Sequence, residues 1–297
     1  MKTGMNADTR AGTGVGVSAG SDAAIERMAP VPLPATPVAP RGWYALTAGV
    51  ATGDMVTAVL AGERHLVYRG RSGRLYVIDP FCPRRGCPLA GGEVVGDGVR
   101  CPVDGLLWYP EGARHDPPAA EVQLPVRPVA QIGGLVFTAV GPDPAPLPPD
   151  VTGTPDWSSA RAHPGAVLEC LTAPELLSYL LGSTFEARSG QVDPDGSLRL
   201  ELDLLGPDGA DTAVVRSGGP GWVSISLPDP VTLLVTSTPT GPGELELYAV
   251  GGPGPDGMLD RLVSLAESMT HLERSSLPGP AGDAWALIRG WSEGSGR

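Results

Sequence analysis

Lysine is almost absent from this chain: Lys2 is the only one among 21 basic residues, and the remainder are arginine. The skew reads as GC-rich coding bias and points to no function. Aromatic residues are scarce as well, with six Trp, six Tyr and three Phe, yet 41% hydrophobic content still allows buried cores. No apolar run approaches the roughly 18 residues that span a bilayer, and the N-terminus lacks the apolar centre of a secretion signal, so a cytoplasmic protein without a membrane partner is expected. Basic residues are outnumbered 33 to 21, and the net charge of -12 argues against nucleic acid or an anionic lipid surface as partner. Four cysteines in 297 residues exclude a disulfide-built scaffold. Turn-formers, by contrast, are plentiful: 42 Gly and 33 Pro favour short strands and loops over helices.

Residues 1–40 are rich in Gly, Ala and Pro, a composition that buries little surface, and they read as a flexible arm. From residue 41 to 141, short alternating segments such as His65–Tyr68, Arg74–Ile78 and Leu135–Val140 read as antiparallel strands joined by tight turns. A Pro-rich linker over 142–155 then marks a domain boundary. The second half, 156–297, opens with a helix over Ala173–Leu181, whose Leu176, Leu177, Leu180 and Leu181 make an apolar stripe and whose end is Gly182. Five strands follow, over 198–204, 213–216, 222–227, 231–235 and 244–250, and then helices over 258–274 and 283–291. The fold class expected is an all-β domain followed by an α+β domain, an antiparallel sheet around a helix.

The informative stretch is Phe81-Cys82-Pro83-Arg84-Arg85-Gly86-Cys87-Pro88-Leu89, followed by Cys101-Pro102-Val103-Asp104-Gly105. It resembles the cluster-binding loops of Rieske domains, Cys-x-His, a spacer, then Cys-x-x-His; here Cys82-x-Arg84 and Cys101-x-x-Asp104 are separated by 16 residues. Arg41-Gly42-Trp43-Tyr44 is similar to that family's entry, and Trp108-Tyr109-Pro110-Glu111-Gly112 to its exit. Farther on, Gly219-Pro-Gly-Trp222, Ser237-Thr-Pro239, His271-Leu-Glu273 and the run from Asp283 to Trp291 resemble the catalytic domain of Rieske non-haem iron oxygenases. The resemblance implies a Rieske-like β domain and an oxygenase-type catalytic domain wrapped around an apolar pocket.

It also shows what is missing. In that family two cysteines hold one iron and two histidines the other. Cys82 and Cys101 remain, but Arg84 and Asp104 stand at the histidine positions, and arginine is permanently protonated with no lone pair to give a metal. The opposite charges suggest an ion pair, Arg84 with Asp104, where an iron would have been. Zinc on Cys82, Cys87, Cys101 and Asp104 is one alternative, a Cys82–Cys101 disulfide another, and plain buried thiols are the default in a reducing compartment. The family's mononuclear iron needs two histidines from a helix and a later carboxylate. The helix at 174–186 contains none, and the whole chain has only His65, His115, His163 and His271.

The expectation is therefore an enzyme without metal or other cofactor, closing a ring in or isomerising an apolar polyketide- or terpenoid-like small molecule. Tyr179 and Glu186 are the candidate catalytic groups; Trp222 and Tyr248 are candidate pocket walls, with Glu175 and Glu201 in reserve. A non-catalytic binding or auxiliary subunit of an oxygenase pathway is the competing reading, and homo-oligomerisation is left open.

Overall fold

Residues 39–110, 124–142, 146–207, 209–228, 231–252 and 256–269 are described by a computed structural model. Residues 1–38, His115, His271 and the helix expected over 283–291 lie outside these described residues. The first domain runs through β1 (Gly42–Ala48), β2 (Met55–Leu60), β3 (Glu63–Arg69), β4 (Leu75–Ile78), a 3-10 turn (Leu89–Gly91), β5 (Glu93–Val95), β6 (Gly98–Arg100), β7 (Leu107–Trp108), β8 (Val126–Arg127), β9 (Val129–Ile132) and β10 (Leu135–Val140). They form three small antiparallel sheets, β1-β10-β9, β2-β3-β4-β8 and β5-β6-β7.

Residues 146–155 form no helix or strand, and the second domain follows with β11 (Asp156–Ala160), α1 (Pro164–Thr172), α2 (Pro174–Leu181), β12 (Thr184–Val192), β13 (Leu198–Gly206), β14 (Gly209–Gly219), β15 (Trp222–Ser226), β16 (Thr232–Gly241), β17 (Glu244–Val250) and α3 (Met258–Ser268). Seven strands make one antiparallel sheet in the order β11-β17-β16-β15-β14-β13-β12. The sequence reading found five of these strands. It missed β12, whose apolar residues are diluted by Glu, Arg, Ser and Gln, and the edge strand β11, whose Trp157 is 63% exposed. It also missed α1, which Pro174 separates from α2: the residue before a proline avoids the helical region, and Ala173 is extended, at once the C-cap of one helix and the N-cap of the next.

Period-two alternation decides which sheet face meets the helices. On β13, Leu198, Leu200 and Leu202 turn inward, while Arg199, Glu201 and Asp203 turn away. The inward face packs with Val167, Leu168 and Leu171 of α1, Leu177 and Leu180 of α2 and Leu262 of α3, all essentially inaccessible to water. The opposite face of β15, β16 and β17 packs against the first domain, in a core that joins Trp222, Leu234, Tyr248 and Val250 to Ala45, Leu135 and Phe137.

That seam is tied by backbone groups. Thr238 Oγ1 donates to the Ala45 carbonyl at 2.6 Å. The β2–β3 hairpin turns on Ala61 and Gly62, both at positive φ as a two-residue primed turn requires, and their N–H groups donate to the carbonyls of Pro239 at 2.7 Å and Thr240 at 3.2 Å. A side chain on Gly221 would run into the backbone oxygen of Trp43, so the Gly219–Trp222 run marks a close approach of the two domains.

Candidate functional site

Two tight loops of the first domain share one construction. In the first, the Cys82 N–H donates to the Cys87 carbonyl at 2.8 Å and the Gly86 N–H to the Cys82 carbonyl at 2.7 Å. In the second, the Cys101 N–H donates to Leu106 at 2.8 Å and the Gly105 N–H to Cys101 at 3.0 Å. Gly86 and Gly105 occupy matching left-handed positions, φ 67 and 71, where a side chain would be strained. The loops bring Cys82, Cys87 and Cys101 together: their sulfurs all lie within 4.8 Å of one another, and Cys87 Sγ is 3.4 Å from Cys101 Sγ. Burial pushes the Cys101 thiol up to about 12.

Asp104 sits beside this group with its side chain only 10% exposed. Its Oδ1 accepts from the Leu106 N–H at 3.2 Å; its Oδ2 is buried and accepts no hydrogen bond. Burial would raise its carboxyl, but the Cys101 thiol, the Leu106 N–H and the charges of Arg84 and Arg85 together hold it below the usual carboxylate range. The ion pair differs from the one expected. Arg84 Nη1 stands 4.0 Å from Asp104 Oδ2, beyond hydrogen-bonding reach, whereas Arg85 Nε is nearer at 3.6 Å. Asp104 thus faces two half-exposed arginine side chains rather than one locked partner, and Arg85, which replaces no ligand, carries no signal in the spacing.

These residues do not fit a Rieske cluster. That cluster needs two imidazoles on one iron, and the only group of three or more potential metal-ligating side chains among the described residues is the cysteine trio. His65 is buried on β3, and His163 caps α1, its Nδ1 accepting from the Gly165 N–H at 3.0 Å. Burial lowers the pKa of both. The described residues offer no facial triad for a mononuclear iron either, since α2 carries no histidine.

The candidate pocket residues fall in three separate places. Tyr179 is 61% exposed, because α2 turns Leu177 and Leu180 inward and so points Tyr179 and Glu175 to solvent. Glu186 pairs with Asp203 on the sheet face directed away from the helices, while its neighbour Phe185 turns inward. Glu201 lies on the same outer face, bound to Arg199 at 3.0 Å and to Ser189 at 3.2 Å. The expected cluster around α2 is therefore corrected: the inner face is filled by leucine and valine, and the polar candidates point elsewhere.

Trp222 and Tyr248, however, do lie together on the face toward the first domain. Register puts Trp222 opposite Thr236, Thr236 opposite Tyr248 and Tyr248 opposite Trp157, one row across four strands. Beside it, Glu246 shares the face of Tyr248, whose hydroxyl donates to Glu246 Oε2 at 3.5 Å. Burial raises the Glu246 carboxyl above its ordinary range and, with Glu246 alongside, raises the Tyr248 phenol to about 12. Trp222 Nε1 and Thr236 Oγ1 are buried without hydrogen-bond partners. The sequence did hold the signal for Glu246: it stands two residues before Tyr248 on a strand. A separate cleft of about 370 Å³ lies on the other face, where Thr152, Asp156, Leu233 and Met258 are among its walls.

Residues 42–129 match the Rieske [2Fe-2S] domain family. A cholesterol 7-desaturase of Xenopus laevis is 37% identical over 110 residues, 34% of this chain and 24% of that protein. A probable 3-ketosteroid-9-alpha-monooxygenase oxygenase component of Rhodococcus rhodochrous is 29% identical over 134 residues, 40% of this chain and 33% of the relative. The match thus spans a third or less of these curated relatives. Over the whole fold, a crystal structure of dicamba monooxygenase bound to dicamba superposes with a TM-score of 0.62 at 14% identity, covering 85% of this chain and 96% of the other. An oxygenase in complex with ferredoxin, from carbazole 1,9a-dioxygenase, gives 0.61 at 16% identity, covering 86% and 89%. The likeness to these structures shows a shared fold, a β domain followed by an antiparallel sheet backed by helices, and residues 42–129 are a Rieske [2Fe-2S]-type domain with Arg84 and Asp104 at the spacing of the cluster histidines.

Proposed function

We propose that this chain is a redox-inactive member of its family, a cofactor-independent enzyme that closes a ring in, or isomerises, an apolar polyketide- or terpenoid-like substrate. The observation that carries the reading is the Glu246–Tyr248 pair, a half-buried carboxyl beside a buried phenol, whose pKa values are both raised. Raised pKa values on adjacent groups are a mark of acid–base sites. Trp157, exposed beside Tyr248, supplies an aromatic wall, and the row through Thr236 leads inward to Trp222. The phenol donates a hydrogen bond and the carboxyl beside it can take up or release a proton, so the pair polarises a substrate carbonyl or moves a proton, while the apolar surround holds the substrate folded for reaction. The catalytic role expected of Tyr179 and Glu186 passes to Tyr248 and Glu246. Electron delivery finds no support in the donor set, since Arg84 offers no lone pair to iron.

The test is conversion of the pathway substrate by purified protein under nitrogen, with chelator and without reductant. A product of identical mass is expected. Turnover that requires ferrous iron, dioxygen and a reductant overturns the reading. A second reading, an auxiliary subunit of an oxygenase system, is favoured by the cysteine-loop tips, where Phe81 and Val103 are exposed beside Arg84 and Arg85. Unchanged substrate, together with a complex on sedimentation with an oxygenase component of the same gene cluster that a Val103→Asp variant loses, would favour it.

A further inference from the structure

The cysteine loops present a donor set that the Rieske pattern does not contain. That pattern divides its ligands, thiolates on one iron and imidazoles on the other. Here Cys87 joins Cys82 and Cys101, so three sulfurs surround a single point, none farther than 4.8 Å from another. Thiolates on a tetrahedral zinc, at about 2.3 Å from the metal, stand about 3.8 Å apart, which the 3.4 Å Cys87–Cys101 separation and the 4.8 Å limit bracket. Asp104 supplies an independent indication. Its carboxyl adjoins the Cys101 thiol, its side chain is nine-tenths buried, and its Oδ2 accepts no hydrogen bond. The two guanidinium groups that face this oxygen stand at 3.6 and 4.0 Å, outside hydrogen-bonding distance, so its lone pairs remain open to a cation.

We propose that Cys82, Cys87 and Cys101 bind one zinc ion and that Asp104, which adjoins Cys101 but lies outside the sulfur trio, turns in to close a tetrahedral site that fastens the two loops to each other. Three thiolates and one carboxylate on a divalent ion leave a net charge of about -2, which Arg84 and Arg85 offset from 4.0 and 3.6 Å. Sulfur donors with one oxygen, in four-coordinate geometry, suit zinc rather than magnesium or calcium, which prefer six or more oxygens. With four protein ligands no position is left for substrate, so the site is structural and independent of the chemistry proposed at Glu246 and Tyr248. The matched backbone hydrogen bonds of the two loops hold the cysteine ligands of both in place before the ion arrives.

The experiment uses the full chain, purified from zinc-supplemented cells and assayed by elemental analysis. One zinc per chain is expected, released by a mercurial that titrates the thiols. Cobalt(II) added to the chelated protein should give thiolate-to-metal charge-transfer bands and tetrahedral ligand-field bands. Cys87→Ser and Asp104→Asn should each weaken cobalt affinity by about tenfold or more, while Cys170→Ser should leave it unchanged. Should a variant fail to fold, the cobalt spectrum of the unaltered protein decides alone. Two irons per chain with inorganic sulfide, a native Cys87–Cys101 disulfide, or cobalt bound without thiolate bands would each overturn the proposal.

Discussion

The cysteine loops and the Trp222–Tyr248 row are built in opposite ways. All the notable side chains of the loops come from residues 81–104, held by tight turns whose geometry is local. The row draws on β11, β15, β16 and β17, residues 157 to 248, and exists only because the sheet sets these strands side by side. The loops are polar and open to water on their arginine side; the row is pressed against another domain. The difference teaches that the departure from the Rieske spacing pattern lies at the loop end, while the seam between domains carries its own buried polar groups.

The sharpest way to break the comparison is at the row. Tyr248→Phe removes the hydroxyl while keeping the ring, and turnover of the pathway substrate should fall by about 100-fold or more, with binding retained. Asp104→Asn, at the loops, should leave the rate within a factor of about two. Equal losses from both would mean that the two regions form one site.

Gly221→Ala tests the seam itself. The added methyl meets the Trp43 backbone oxygen, so the domains must shift, at a cost of about 1–3 kcal/mol in denaturant unfolding. The same change at Gly196, a turn glycine whose added Cβ would meet nothing nearby, carries only the strain of its positive φ and should cost less. Should the two variants be equally destabilised, the close packing of the seam would be in question.

Acid should act through buried imidazoles. His65 and His163 have folded pKa values below the unfolded value of about 6.5, chiefly because burial disfavours the charged ring. Between the two values the unfolded chain binds more protons, so stability is complete above about pH 6.5 and declines as the pH falls toward the folded values. Urea midpoints at pH 7.5 and 5.5 measure this, and His65→Gln should flatten the dependence.

The smallest effect belongs to Arg84→Ala. Its guanidinium is 51% exposed and 4.0 Å from Asp104, so the loss should stay within about 1 kcal/mol. Arg85→Ala, acting from 3.6 Å, should cost at least as much. A loss of several kcal/mol from Arg84 alone would restore the locked one-to-one pair that the spacing predicts.

Much of this molecule is written locally. The spacing of Cys82, Arg84, Cys101 and Asp104 marks the domain type and the ligand loss, because cluster ligands come from short loops whose order survives in the chain. The helix from Pro174 to Gly182 and the strand of alternating leucines from Leu198 to Leu204 are equally legible, since proline, left-handed glycine and period-two burial act over a few residues. What tertiary structure alone decided is where the remaining polar side chains point. Tyr179 stands on α2 and Glu186 on β12 just after it, yet packing Leu177, Leu180 and Phe185 inward forces both of them outward. Glu246 carries no motif and gains its raised pKa only from burial beside Tyr248, at a seam made by strands and a second domain distant in sequence. The closeness of Cys87 to Cys101 across 14 residues likewise required two loops to fold face to face. Periodicity fixes which residues share a face, but burial and pKa depend on what that face meets, and that partner is set by contacts far apart along the chain.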